Sequence, residues 1–179
     1  AQAIDLLSVI RLGTCDPISL IWLGPAEILL VRFGENLDAV EWQFKNLPEG
    51  DWEIFVNDEE TALWREVGEC HRQLGDIVVR VVALPSRIGD VVERFKPESW
   101  IAHAAVGVLL LGLRDASEIL KIREHFPVVI ERAPIEVRRQ VPTFGINGRE
   151  YELMKQIKSS FDPEGRLNPG RHVDGEGFS

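Results

Sequence analysis

Residues 77–132 decide the fold, and they read IVVRVVALPSRIGDVVERFKPESWIAHAAVGVLLLGLRDASEILKIREHFPVVIER. The run at 77–84 is typical of a buried strand, and Gly107 marks a turn between two further apolar runs. Amphipathic stretches with helical spacing lie between these runs. The pattern predicts strand, helix, strand, strand, helix and strand, at residues 77–84, 88–95, 100–106, 107–113, 115–126 and 128–132.

That order of elements is the split βαβ arrangement of a ferredoxin-like (βαββαβ) unit. It predicts an α+β fold in which a four-stranded antiparallel sheet carries both helices on one face. Both faces of the first strand are apolar, so the second face also needs cover. The N-terminal half is the nearest candidate, either by extending the sheet or by packing on it.

Residues 18–75 predict that N-terminal half. Two strand runs flank Gly24-Pro25-Ala26, which is a hairpin signal, and two helical patterns follow. Their predicted spans are 18–23, 27–33, 36–47 and 57–74. Over the whole chain, we expect helix N-caps at Asn36, Asn57, Ser86, Asp115 and Asn147, three of which (57, 115 and 147) are followed three residues later by Glu.

Residues 133–179 change in character. Residues 133–148 contain two prolines and two glycines and predict an irregular loop. A final helix is expected next, with Leu153, Ile157 and Phe161 facing inward. We therefore predict a single domain over 1–179, made of an N-terminal half (18–75), the ferredoxin-like unit (77–132) and a loop, helix and tail (133–179).

The composition excludes several classes of protein. The net charge is −9, and residues 1–60 hold 12 Asp and Glu against 3 Lys and Arg, which disfavours nucleic acid as a partner. No apolar run is long enough to span a bilayer. The two cysteines, Cys15 and Cys70, form no disulfide framework and predict reduced thiols in a cytoplasmic protein. The first residue is not Met, so we expect either a fragment or a processed product.

Common catalytic signatures are absent from the sequence. It has no G-x-S-x-G, H-E-x-x-H or P-loop motif, and its four histidines lack the spacing that a zinc site needs. No G-x-G-x-x-G follows a strand. A dinucleotide has a pyrophosphate that needs several backbone N–H donors, so the chain alone is expected to bind such a cofactor weakly or not at all.

The strongest local signal is at residues 155–171, KQIKSSFDPEGRLNPGR, where an amphipathic helix leads into two turns. Two ordinary turns that end a domain are the simplest interpretation. However, a helix followed by FDPxGxxNPGR at the C-terminus resembles the end of FAD-linked oxidases of the vanillyl-alcohol oxidase/p-cresol methylhydroxylase superfamily. Within it, the FAD-binding subunits of glycolate oxidases are the most similar. LLVRF with Gly34, IAHAAVGVLLLGL and VVIERAP recur upstream in that order.

The resemblance implies a domain that lies over the flavin ring and shapes the substrate pocket, while an N-terminal domain holds most of the FAD. It implies that Asn168, Gly170 and Arg171 lie near FAD. It implies a small 2-hydroxy acid as substrate, such as glycolate or D-lactate. Its implied partners are that flavin-binding domain, an iron–sulfur subunit and a second flavoprotein subunit. This chain alone is then expected to be inactive and to retain no FAD.

Three further residues are candidates for substrate contacts. By the same resemblance, His103 faces the substrate as the catalytic residue, where it could orient the hydroxyl group or take its proton. Arg32 and Arg80 interrupt apolar strands and could bind a substrate carboxylate. The alternatives are a histidine that is only hydrogen-bonded and strand arginines that face solvent.

A second class of function stays open. The chain could be a non-catalytic ferredoxin-like module for subunit assembly or small-ligand binding, since an acidic N-terminal half suits a docking surface as well as solubility.

Overall fold

The computed structural model describes residues 2–145 and 148–168, except for the side chain of Gln2. The described part is α+β, as predicted, with a single six-stranded antiparallel sheet. Its helices are α1 (Gln2–Leu12), α2 (Leu37–Lys45), α3 (Asn57–Glu69), α4 (Ile88–Phe95), α5 (Ala116–Arg123), α6 (Ile135–Gln140) and α7 (Gly148–Phe161). Its strands are β1 (Ser19–Gly24), β2 (Ile28–Arg32), β3 (Ile77–Val82), β4 (Ser99–His103), β5 (Val108–Leu113) and β6 (Val128–Arg132).

The strand order across the sheet is β2-β1-β4-β5-β3-β6. The last four strands, with α4 and α5 between them in the chain, have the order of a ferredoxin-like unit, which confirms the arrangement predicted for 77–132. The N-terminal hairpin extends the sheet, because β1 pairs with β4 from Ile21 opposite His103 to Gly24 opposite Trp100. None of the helices in the described ranges is both long and apolar enough to cross a membrane.

One face of the sheet carries the main core. Val79, Val81, Leu109 and Leu111 are fully buried there. They pack with side chains from three helices, including Ile10 of α1, Val91 of α4 and Ile119 and Ile122 of α5. The sequence analysis assigned no helix to residues 2–12, yet α1 contributes Ala3, Leu7 and Ile10 to this core.

The other face of the sheet is only partly covered. There, Ile21, Val78 and Ile101 form a small second cluster with Leu74. Trp64 and Val67 of α3 pack against this cluster, so the N-terminal half both extends the sheet and covers part of it. The remainder, which we call the open face, includes the exposed Val82 on β3.

Three local expectations are wrong. Residues 133–148 are not all irregular, because α6 begins after Pro134, whose missing N–H costs nothing at a helix start. Asn57 is not a cap but the first residue of α3, with φ of 55°. No side chain caps α4, since Pro85–Arg87 forms a 3-10 turn ahead of it. The caps Asn36 and Asp115 are confirmed, while Asn147 lies outside the described residues.

The interpretation of α7 is also wrong. Leu153, Ile157 and Phe161 are 56%, 51% and 83% exposed instead of facing inward. They lie at i, i+4 and i+8 on one helix face, and no described residue of α7 is buried. The spacing predicted an apolar stripe correctly, but it could not show whether this chain supplies a surface to cover the stripe.

The junction of β1 and β4 predicts a sensitive position. A Cβ at Gly24 would fall within the indole of Trp100, which stacks edge-on against Trp22 with ring centroids 5.4 Å apart. We expect Gly24→Ala to destabilise the domain by about 1–3 kcal/mol in urea unfolding, because it overpacks a dense core. Gly68→Ala is the control, since nothing lies within 4 Å of the added carbon, and it should be neutral or stabilising. Equal stability of the two variants would contradict this packing.

Candidate functional site

His103 lies in the middle of a row of side chains that crosses the open face. The row runs Leu30, Ile21, His103, Val108 and Val82 over five strands, as the pairing register fixes. His103 is the last residue of β4, and its carbonyl accepts the N–H of Gly107 at 3.0 Å in the turn to β5. Sheet alternation thus directs its ring away from the main core.

The His103 ring is half-buried, and this burial lowers its pKa below the ordinary value for histidine. The ring has no hydrogen-bond partner among the described residues. At neutral pH the imidazole is therefore uncharged, with one nitrogen able to accept a proton. These are the properties that a general base requires.

Arg80 points to the same open face from β3. Its Cα lies opposite Leu110, so two strand spacings, about 10 Å, separate it across the sheet from β4 and His103. Its Nε contacts Glu131 Oε1 at 3.0 Å, and both side chains are about 40–50% exposed. Exposed pairs of this kind contribute about 0–1 kcal/mol, so a substrate carboxylate could replace Glu131.

Arg32 is farther away, on the edge strand β2. Its Nε contacts Glu60 Oε1 at 2.7 Å, and its guanidinium lies 5.1 Å from the ring centroid of Trp64. Four strand spacings, about 19 Å, separate β2 from β3, so Arg32 and Arg80 cannot bind one small acid together. The structure brings His103 and Arg80 to neighbouring rows and leaves Arg32 apart from Arg80.

Asp162 organises the loop that follows α7. This buried carboxylate accepts the N–H groups of Arg166 and Leu167, both at 2.8 Å, and it also binds Lys158 Nζ. Lys158 in turn donates to the carbonyl of Leu167 at 2.8 Å. The loop is therefore closed by one carboxylate and one ammonium group that α7 places one turn apart.

These hydrogen bonds determine the electrostatics of Asp162. The bond from Lys158 and those from the Leu167 and Arg166 amides hold its pKa below the ordinary range. Gly165 and Asn168 have φ of 65° and 47°, the left-handed region that glycine and asparagine tolerate best. Asn168 is exposed at the end of this loop, while Gly170 and Arg171 lie outside the described residues.

Arg123 holds the segment that leads toward α7. Its Nη2 donates to the carbonyls of Pro142 at 2.6 Å and Thr143 at 3.1 Å, and Thr143 accepts the N–H of Ile130 on β6. Sequence reasoning missed Arg123, which showed only as a basic residue in the last turn of α5. It also missed Lys158 and Asp162, although their spacing of four residues in a helix ending at FDP is a visible signal.

A metal centre finds no support in the part of the chain that the structure describes. Nowhere in residues 2–145 and 148–168 do three or more His, Cys, Asp or Glu side chains cluster in a way that could hold an ion. Cys15 and Cys70 are both free thiols, as the sequence predicted, and burial raises the pKa of Cys15.

Comparison with known proteins matches the C-terminal part of the chain to a protein family. Residues 143–172 match the family described as FAD linked oxidases, C-terminal domain. The match covers the segment that Arg123 anchors, α7 and the loop around Asp162. No curated protein and no solved structure matches the chain. The likeness to FAD-linked oxidases is thus confirmed for this terminal segment, and no comparison extends it to a glycolate oxidase.

The loop around Asp162 should depend on its charge. We expect Asp162→Asn to raise the exchange rates of the Arg166 and Leu167 amides at least about tenfold, because an amide cannot accept both N–H groups and the ammonium as well as a carboxylate does. Glu164→Gln, which removes only an exposed pair with Arg166, should leave these rates unchanged. In the wild type, protection should persist above pH 4 and be lost as the pH falls through the lowered pKa. Equal exchange rates of the two amides in Asp162→Asn and the wild type would contradict this role.

His103 should titrate below the ordinary histidine range. We expect NMR titration of its ring to give a midpoint below the value of about 6.5 that an unfolded chain shows. Because the folded pKa is the lower one, protonating His103 costs stability, and this loss should begin as the pH falls below about 6.5. The same ring in urea-unfolded chain is the reference. A folded midpoint equal to or above that reference would mean that the ring is not desolvated.

Proposed function

We propose that this chain is the substrate-side domain of a flavin-dependent oxidase or dehydrogenase that oxidises a small 2-hydroxy acid such as glycolate or D-lactate. The observation that carries the proposal is the preorganised loop after α7, because it falls within the segment that matches the FAD-linked oxidases.

FAD would be held mainly by another domain. When bound, it would supply the acceptor for a hydride from the hydroxyl-bearing carbon. A pyrophosphate needs several converging N–H donors, and the described residues contain no glycine-rich turn ahead of a helix that could supply them. The end of the loop after α7 does suit a contact at the edge of FAD, because the side-chain amide of Asn168 is exposed there. Gly170 and Arg171 follow after Pro169 in sequence, and a guanidinium at position 171 could pair with a phosphate.

His103 is our candidate for the group that orients the substrate hydroxyl and takes its proton. Its support is the neutral, half-buried imidazole on the open face of the sheet. Arg80 is the better of the two candidates for the substrate carboxylate, because it shares that face and its partner Glu131 is exposed. Arg32 remains a weaker candidate, since Glu60 and Trp64 already engage its guanidinium.

The apolar stripe on α7 suits the contact with a flavin-binding domain. Leu153, Ile157 and Phe161 form a continuous exposed surface that leads directly into the terminal loop. Covering this stripe would hold the loop against the neighbouring domain through hydrophobic burial. An iron–sulfur subunit and a second flavoprotein subunit are further proposed partners. The family resemblance is the support for them.

The proposal is tested on the protein expressed from its complete reading frame. We expect bound FAD and glycolate- or D-lactate-dependent reduction of a dye, with His103→Gln lowering kcat about 10²- to 10⁴-fold while FAD content stays constant. His125→Gln is the control, because His125 contacts Arg94 among the helices on the opposite side of the sheet. An equal effect of both variants would remove His103 from the chemistry. A protein that contains no FAD, or that reduces no dye with either acid, would contradict the proposed oxidase function.

A second candidate function is that of a non-catalytic assembly module. The exposed stripe of α7 favours it, since a protein that binds only small molecules gains nothing from such a surface. The same experiment separates the two, because an assembly module would bind a partner without FAD and without turnover.

A further inference from the structure

A groove runs along the free edge of β2. We call it the edge groove, and it consists of two adjoining cavities of about 450 and 520 Å³. Both are lined by Leu29 and Leu30 of β2, by Trp52 and Phe55 of the segment between α2 and α3, and by Leu63 of α3. The strand edge thus forms one wall of the groove, and the segment 50–57 contributes to the other.

The outer backbone edge of β2 is unpaired within the described residues. β2 pairs with β1 alone and ends the sheet. No backbone hydrogen bond links it to the segment 50–57. The opposite edge of the sheet differs, because β6 is covered by the segment that Arg123 anchors, with Phe144 bridging to Val129. An open edge next to a groove can accept hydrogen bonds from, and donate them to, one more strand.

The groove is rimmed by apolar side chains that the domain does not bury. Its lining includes a run of exposed residues, Ile18, Ile28, Phe44, Ile54, Phe55 and Val56, between 36% and 61% exposed. Val40 and Phe44 of α2 and Leu47 shortly after it also line the groove, and Gln43 is the only buried residue of that helix. Concentrated apolar exposure of this kind marks an interaction surface.

The edge groove is acidic, which favours a basic partner. Glu27, Asp51, Glu53 and Glu60 line it, while the only Lys, Arg or His in the described lining is Arg32, which Glu60 already neutralises. Glu27, Asp51 and Glu53 make no ion pair with any described residue. A second copy of this chain would bring an equally acidic edge, which repels.

We propose that the edge groove binds an extended segment of a partner protein that alternates apolar residues with Lys or Arg and adds to β2 as a seventh strand. The five residues of β2 span about 17 Å, the length of a five-residue strand in the partner. Backbone hydrogen bonds to the edge would supply affinity, apolar side chains would fill the cavities, and basic side chains would meet the acidic rim. This surface requires no flavin, so the inference stands apart from the proposed oxidase function.

The probe is a seven-residue peptide of alternating valine and lysine, titrated calorimetrically into the 179-residue chain at 0.15 M salt, where long-range attraction is screened. Two control peptides accompany it. One replaces lysine by glutamate, and the other is N-methylated throughout, so that it keeps the charges but has no backbone donors. Hydrogen exchange of residues 28–32 reports where the peptide binds.

Two triple variants of equal charge test the rim. The rim variant is Glu27→Lys, Asp51→Lys and Glu53→Lys. The matched control is Asp76→Lys, Glu136→Lys and Glu152→Lys, three exposed residues outside the groove that make no ion pair with a described residue.

We expect the valine–lysine peptide to protect residues 28–32 in the wild type and the control. Its binding should weaken at least tenfold in the rim variant, which should instead favour the glutamate peptide. The N-methylated peptide should bind at least tenfold more weakly than the parent. Equal weakening by both triple variants, equal binding of the N-methylated peptide, or no binding at all would overturn the proposal. Self-association of the wild type through residues 28–32 would also overturn it, in favour of a second copy.

Discussion

The pairing of β1 with β4 is the contact on which the rest of the domain depends. Four residue pairs join the N-terminal hairpin to the ferredoxin-like unit and turn a four-stranded sheet into a six-stranded one. On the core side, the same ladder aligns Trp22 beside Trp100, and the indole is accommodated only because residue 24 has no side chain. On the other side it sets Ile21 next to His103. The packing of the core and the environment of the candidate base are therefore fixed by a single register.

Unequal cover of the two faces explains where function can reside. Helices α1, α4 and α5 cover most of one face, whereas α3 and the 3-10 turn after it reach only part of the other. Because the sheet is only half covered there, His103 is half-buried. Its partial desolvation lowers its pKa and favours the neutral ring, while its exposed part remains accessible to a ligand. The partial cover also leaves Arg80 paired, among the described residues, with the exposed Glu131 alone. A fully packed second layer would have made both residues structural.

Residues 77–132 were predictable because strand alternation and local turn signals act over a few neighbouring residues. The common face of His103 and Arg80 follows only from the pairing register, because a slip of one residue would move a side chain to the other face. The ion pairs of Arg32 with Glu60 and of Arg80 with Glu131 were beyond reach, since they join residues that are distant in sequence. Helix α1 was missed, although it packs three residues into the core. The periodicity of α7 revealed an apolar stripe but not its exposure, because a pattern specifies a face and not its partner.

The loop after α7 shows how a short segment can require specific residues for its own structure and not for catalysis. A loop with two residues at positive φ is costly to order, and surface loops usually remain mobile. Here Lys158 in the last turn of α7 and Asp162 directly after the helix lie one turn apart, and together they engage two amides and one carbonyl of the loop. These hydrogen bonds within the chain offset the entropic cost of ordering the loop. A surface that is already ordered binds with a smaller entropic penalty. Aspartate, proline and glycine in FDPEG therefore have separate tasks: the central acceptor, the turn, and the left-handed residue that lets the chain bend back toward the carboxylate.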